Sequence, residues 1–150
     1  MNVSDLTPYE WAQKERKAII KELPVAGQNH PRIVWYHAFT TLKATTDEVP
    51  WCSAFMCAAA ASCGYPSTKS ALARSWAKYG DEGTGEVGDI VILSRGNSTT
   101  TGHVGFINSQ YRKGDEYVEI LGGNQNNCLS VAKFKADRIV AIRSFPAKVA

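Results

Sequence analysis

The sequence lacks any run of 18 apolar residues, so no segment is expected to cross a membrane as a helix. Its four cysteines, Cys52, Cys57, Cys63 and Cys128, form no C-x-x-C pair, which speaks against a zinc ribbon and against a disulfide framework. There is no block of like charge. The basic residues are scattered and the net charge is only +3, which gives no nucleic-acid footprint. So mild a positive balance suits an anionic polymer or surface, or simply solubility. Histidine is scarce: His30, His37 and His103 are the only imidazoles on which acid–base chemistry near neutral pH can fall. Internal repeats and low-complexity stretches are absent. The start, Met-Asn-Val-Ser-Asp-Leu-Thr-Pro, has neither the basic stretch nor the apolar core of a signal peptide, so synthesis and retention in the cytoplasm are expected unless another route releases the protein. What remains is ordinary globular composition, 44% hydrophobic and 21% charged, expected to form one domain over 1–150 with a sizeable core.

The first half of the chain reads as helices. Thr7 is placed as an N-cap, Pro8 at the first helical position, and Glu10 three residues on completes a capping box. Trp11, Ala18, Ile19 and Leu23 carry the apolar face of a helix of about four turns, which Pro24 ends. Pro31 opens a second helix, in which Ile33, Val34, Tyr36, His37 and Leu42 recur at helical spacing. A third, 51–62, is apolar apart from Ser53 and Ser62 and so belongs in the middle of the domain, with Gly64 as its cap. A fourth is expected over 69–79, stopped by Gly80. After the glycine-rich loop 81–86 the period changes to two. Strands are expected at 89–93, 103–108, 117–121, 129–134 and 138–144, with turns at Gly96-Asn97-Ser98, Lys113-Gly114-Asp115, Gly122-Gly123-Asn124 and Lys135-Ala136-Asp137. Helices first and strands second make an α+β domain with an antiparallel sheet.

Residue types able to carry chemistry converge on a few positions. Cys52, in Val49-Pro50-Trp51-Cys52-Ser53-Ala54-Phe55-Met56, begins the buried helix. Unpaired backbone N–H groups and the helix dipole favour a thiolate there and lower its pKa, and the Cys52 N–H faces a developing oxyanion. The same position equally suits one more small buried side chain, as Cys57 and Cys63 are expected to be. His103, in Thr101-Gly102-His103-Val104-Gly105-Phe106, opens a strand between glycines small enough to let a large group approach the imidazole. It supplies the base that such a thiol needs. His30 lies in a loop and His37 on a helix beside Trp35 and Tyr36, without that setting.

A hairpin turning at Lys113-Gly114-Asp115 brings Asn124 beside His103, where its side-chain oxygen accepts from the ring and holds the tautomer. Gln125 is the weaker candidate for that role, and a turn asparagine tolerating a left-handed backbone is the bland alternative. Trp51, Trp76 and Gln125 are the candidate substrate-binding residues, although aromatics on helices belong more often to a core. Cys52, His103 and Cys128 lack a fourth metal ligand, so no metal and no other cofactor is expected. Ser75-Trp76-Ala77-Lys78 matches S-x-x-K but lies in an expected helix without its partner motifs.

Cysteine at a helix start, histidine opening a strand and a polar residue at the next strand's end resemble the CHAP (cysteine, histidine-dependent amidohydrolase/peptidase) group of papain-like fold. Pro50-Trp51-Cys52-Ser53-Ala54-Phe55, Ala71-Leu72-Ala73-Arg74-Ser75-Trp76, Gly88-Asp89-Ile90-Val91, Gly102-His103-Val104-Gly105-Phe106 and Leu121-Gly122-Gly123-Asn124-Gln125 carry a likeness to a CHAP-like subgroup of phage and bacterial genomes. The region 22–31 and Asp47-Glu48 share it, so it spans nearly the whole chain. The resemblance implies N-terminal helices followed by a five- to six-stranded antiparallel sheet. It also implies a peptidoglycan hydrolase of the phage endolysin type, cutting a peptide bond of the stem or cross-bridge, or the amide between N-acetylmuramic acid and the first alanine. Cys52 would be nucleophile, His103 base and then acid, and Asn124 the orienting residue. Peptidoglycan is the implied partner, met by a monomer that inserts in no membrane and binds no nucleic acid, after release to the wall. Two features depart from the group. Gly122 stands where many members have the glutamate of an E-x-N pattern, and no calcium-binding aspartate loop precedes Cys52. The competing readings are a papain-like peptidase acting on a non-wall protein and a non-catalytic wall-binding module. The second has no need of nucleophile, base and orienter together.

Overall fold

The computed structural model describes residues 3–25 and 27–148; Met1 and Asn2, which open the stretch read above for a signal peptide, lie outside the described residues. Three α-helices precede an antiparallel sheet, as expected for an α+β domain. The first, α1 (Pro8–Arg16), starts on the capping box read from the sequence. Thr7 Oγ1 accepts from the Glu10 N–H at 3.1 Å, and Glu10 Oε1 accepts from the Thr7 N–H at 2.9 Å. It ends well short of Leu23, contrary to the expected four turns. Ile19 turns left-handed at φ 57°, and the chain beyond it leaves the helix to pair with the sheet. Leu129 N donates to Ile20 O and Glu22 N donates to Asn127 O. A second helix, α2 (Pro31–His37), is also shorter than its periodicity suggested, and Leu42 is exposed.

The third helix, α3 (Cys52–Ser62), is where the sequence placed it, and every residue from Cys52 to Ala60 is buried. Alanines dominate its middle, which lets neighbouring elements approach closely: α1 and α2 on one side, the sheet on the other. Gly64 follows its end at φ 82°. The expected fourth helix is only a single 3-10 stretch, Ala73–Lys78. The segment before it is held by side chains instead, with Ser53 Oγ donating to Ser70 O at 2.6 Å and Leu72 N donating to Ser70 Oγ at 3.1 Å.

Six strands form one sheet in the order β1-β6-β2-β3-β4-β5, every neighbouring pair antiparallel. They are β1 (Asp81–Glu82), β2 (Ile90–Arg95), β3 (Ser98–Ile107), β4 (Tyr117–Gln125), β5 (Cys128–Lys135) and β6 (Ile139–Ser144). The stretch read as a glycine-rich loop therefore contributes a short edge strand. Gly122-Gly123-Asn124, read as a turn, lies inside β4, and the true turn is Asn126-Asn127, both at positive φ. Ile90, Ile92, Val104, Phe106 and Leu121 face the helices, while Val91, Leu93, Ile107, Val118 and Ile120 form a smaller core on the opposite face. Each such side chain contributes about 1.5–3 kcal/mol by leaving water. No helix among the described residues is long and apolar enough to cross a membrane.

One irregularity positions everything that follows. Long as they are, β3 and β4 pair only at Phe106↔Leu121 and Ile107↔Ile120, and then diverge. The N-terminal end of α3 packs where they part. Gly123 makes this possible: a Cβ there would lie 2.8 Å from the Trp51 ring and 3.0 Å from Phe55 Cβ.

Candidate active site

Cys52 is the first residue of α3 and is 5% exposed. No side chain caps this helix, so its first N–H groups remain free for the sulfur. The N–H groups of Val104, Ser53 and Cys52 itself all act on the thiol to favour its ionised form, and Arg95 adds a positive field. Burial outweighs them and raises the Cys52 pKa. The sequence reading of a thiol lowered by the helix start is therefore reversed for the resting protein.

His103 lies on β3 and is 3% exposed, next in sequence to the Val104 whose N–H serves the sulfur. Its Nε2 lies 2.9 Å from Gln125 Oε1, and its ring sits 5.3 Å from that of Phe134. Its pKa falls to about 4, chiefly because burial disfavours the charged ring, with Arg95 and Arg138 acting in the same sense against the Gln125 bond. The glycines on either side serve the sheet rather than a ligand. A Cβ at Gly105 would meet Leu121 O at 3.1 Å, and one at Gly102 would meet the Leu93 carbonyl.

The partner of the imidazole is Gln125, not the neighbouring Asn124. Gln125 Nε2 donates to Ile120 O at 3.1 Å and to Ser130 O at 2.8 Å. Both amide hydrogens are thereby engaged, which fixes the amide's orientation and leaves Oε1 to face the ring. Because Oε1 only accepts, His103 Nε2 must carry the proton, and Nδ1 keeps its lone pair. Nδ1 has no hydrogen-bond partner among the described residues, and no hydrogen bond joins it to Cys52. Asn124 takes φ 58° at the register shift between Gly122 and Gln125, and makes no hydrogen bond to His103. The bland alternative, an asparagine chosen for left-handed backbone, describes it.

Gly122 accounts for the departure from the E-x-N pattern. A Cβ there would lie 2.7 Å from Gln125 Oε1 and 3.4 Å from His103 Nε2. The Gln125 side chain folds back over the space in which a side chain at 122 would begin.

Trp51 and Trp76 do not line a groove, because both are fully buried. Trp51 Nε1 donates to Glu22 Oε2 at 3.0 Å, and Trp76 Nε1 donates to Ser53 Oγ at 2.9 Å, so the two indoles brace the residues on either side of the thiol. Cys57 and Cys63 are buried and Cys128 is half-buried, all as free thiols. No cluster of three metal-ligating side chains occurs among the described residues. Sequence reasoning passed over Arg95 and counted Arg138 as scattered charge. The signal lay in the Gly96-Asn97 turn, which sets Arg95 opposite Ser98 on the strand that bears His103.

The family model described as the CHAP domain matches residues 44–124, more than half of the chain, from the loop ahead of Cys52 to Asn124. No curated protein and no solved structure matches.

Proposed function

The chain belongs to the CHAP domain family, of cysteine- and histidine-dependent amidohydrolases and peptidases, and from that premise we propose that it is a peptidoglycan hydrolase of endolysin type. Cys52 is the nucleophile, His103 the base and then the acid, and Gln125 the orienting residue. The observation that carries this reading is the locked Gln125 amide, which holds His103 in the one tautomer able to take a proton at Nδ1.

The resting pair is neutral, since burial raises the thiol and lowers the imidazole. As the sulfur attacks the scissile carbonyl carbon, its proton passes to His103 Nδ1. The developing oxyanion is met by the Cys52 N–H at the helix start. His103 then protonates the leaving amine, the C–N bond breaks and a thioester remains. A water gives a proton to His103 as it attacks the thioester carbonyl; the C–S bond then breaks, the acid product leaves, and His103 returns the proton to the Cys52 sulfur. The gap between Cys52 and Nδ1 closes in the substrate complex, as is common for catalytic hydrogen bonds that are long in free enzymes.

Incubation with purified peptidoglycan, followed by mass spectrometry of the soluble fragments, tests this reading. New amino groups on stem or cross-bridge residues identify an endopeptidase, and intact stems freed from muramic acid identify an amidase. Cleavage by Cys52→Ala equal to that of the parent overturns the nucleophile. For the endolysin role, bacteria expressing the protein internally should stay intact until their membrane is permeabilised and then lyse. Cells expressing Cys52→Ala should not.

A further inference from the structure

Beside the imidazole lies a cavity of about 420 Å³ that the hydrolytic mechanism leaves unused. Its wall includes His103, Gln125, Phe134, Arg95 and Arg138, and no Asp or Glu lines it. Neither arginine forms an ion pair among the described residues, where the only bridge joins Arg32 to Glu15. Arg138 is fixed in place. Its Nε and Nη2 donate to Ser94 O at 3.1 and 2.9 Å, and its guanidinium lies 5.4 Å from the centre of the Phe134 ring. That leaves Nη1 without a hydrogen bond among the described residues. Arg95 follows Ser94 directly, is exposed at the last rung before the Gly96-Asn97 turn, and its side chain makes no hydrogen bond among the described residues. Two guanidiniums, one rigid and one free, thus share one rim.

We propose that Arg95 and Arg138 form a carboxylate subsite, which selects amide substrates bearing a free carboxylate next to the scissile bond. This rests on the hydrolase reading and deepens it. A carboxylate is the group that the guanidinium fork matches in shape and charge. Without an anion, the two cations oppose protonation of His103, the event on which nucleophilic attack depends. A bound carboxylate lifts that opposition, so His103 accepts a proton more readily once a correct substrate is seated; the gain comes mainly through Arg138, because the field of Arg95 also favours the thiolate. The subsite therefore acts on turnover as well as on binding. In a peptidoglycan fragment the carboxylate has two sources, the free carboxyl of a glutamate within the stem or the stem's C-terminus.

Three synthetic muropeptides with the same scissile amide separate these possibilities. One has both carboxyls free, one carries a carboxamide at the glutamate, and one carries a carboxamide at the C-terminus. Calorimetric binding is measured to Cys52→Ala, which holds substrate without cutting it. One of the two amidated peptides should bind about 10- to 100-fold more weakly than the free acid, as expected for loss of a charged hydrogen bond, and its identity names the source. Adding Arg95→Gln should bring that ratio below about threefold, with Arg95→Lys restoring part of it. Arg95→Gln is the decisive variant, because Arg95 is exposed and unbonded, whereas Arg138 also anchors Ser94. Equal binding of all three peptides, or a ratio that survives Arg95→Gln, overturns the subsite. Discrimination in binding with no cleavage by the parent leaves the subsite standing and overturns the hydrolase reading.

Discussion

A glutamine whose amide hydrogens are both held by carbonyls has only one atom left to offer an imidazole. That is the situation of Gln125, and in the proposed mechanism it makes the residue a positioning group whose removal should act on rate. Gln125→Ala is expected to lower kcat on the order of 10²-fold, within the usual range for proton transfer by a positioned group, with a smaller effect on KM. Gln125→Glu tests the contact with the ring, at the loss of the amide hydrogens held by Ile120 O and Ser130 O. It keeps an acceptor for Nε2 and adds a charge that favours imidazolium, so the acidic limb of the pH–rate profile should move to higher pH. An unmoved limb in a variant that folds would mean that the side chain at 125 does not act on the titrating ring. Asn124 obeys a different constraint, its φ of 58°. Asn124→Gly should leave the urea midpoint almost unchanged, while Asn124→Val should lower stability by about 1–2 kcal/mol. The sequence did suggest an amide beside His103. It favoured Asn124 over Gln125, because the register shift after Gly122, which decides which amide faces the ring, is not legible in the local residues.

At the level of elements, α3 and most of the sheet were legible because burial imposes a period: unbroken apolar residues in the helix and alternation in the strands. Elements whose ends depend on tertiary pairing were not. The first helix stops early because 20–22 is recruited by the start of β5, at the cost of a left-handed, exposed Ile19. Ile19→Gly should accordingly raise stability by about 1 kcal/mol in denaturant titrations. The start of α3 is braced rather than capped. Ser53 Oγ donates to Ser70 O and accepts from Trp76 Nε1, so Ser53→Ala strands a buried indole N–H and should cost about 1–3 kcal/mol. Burial also changes the expected order of thiol reactivity in the free protein. Iodoacetamide near neutral pH should label the half-buried Cys128 before Cys52, whose thiol is raised by its surroundings. Faster labelling of Cys52 would show that the helix start overrides desolvation.

The whole molecule inherits a pH dependence from the site. His103 titrates at about 4 when folded against 6.5 for the free side chain, so between those values the unfolded chain binds a proton that the folded one refuses. Stability is therefore complete above the upper value and falls as pH drops through the window, by up to about 3 kcal/mol. His37 is also buried and lowered in pKa, and adds a loss of the same sign. Urea midpoints at pH 7 and 4.5 measure the sum, and His103→Gln should flatten the profile. The divergence of β3 from β4 after two rungs has a further, mechanical consequence. Among the described residues, no hydrogen bond holds the strand bearing Gln125 at its distance from the helix bearing the thiol. Packing holds it: the Trp51 ring and Phe55 Cβ both bear on Gly123, like a shim between two plates. Trimming the shim, as Trp51→Phe would by shortening the ring and removing its bond to Glu22, should detune the spacing of the proposed catalytic groups without replacing any of them.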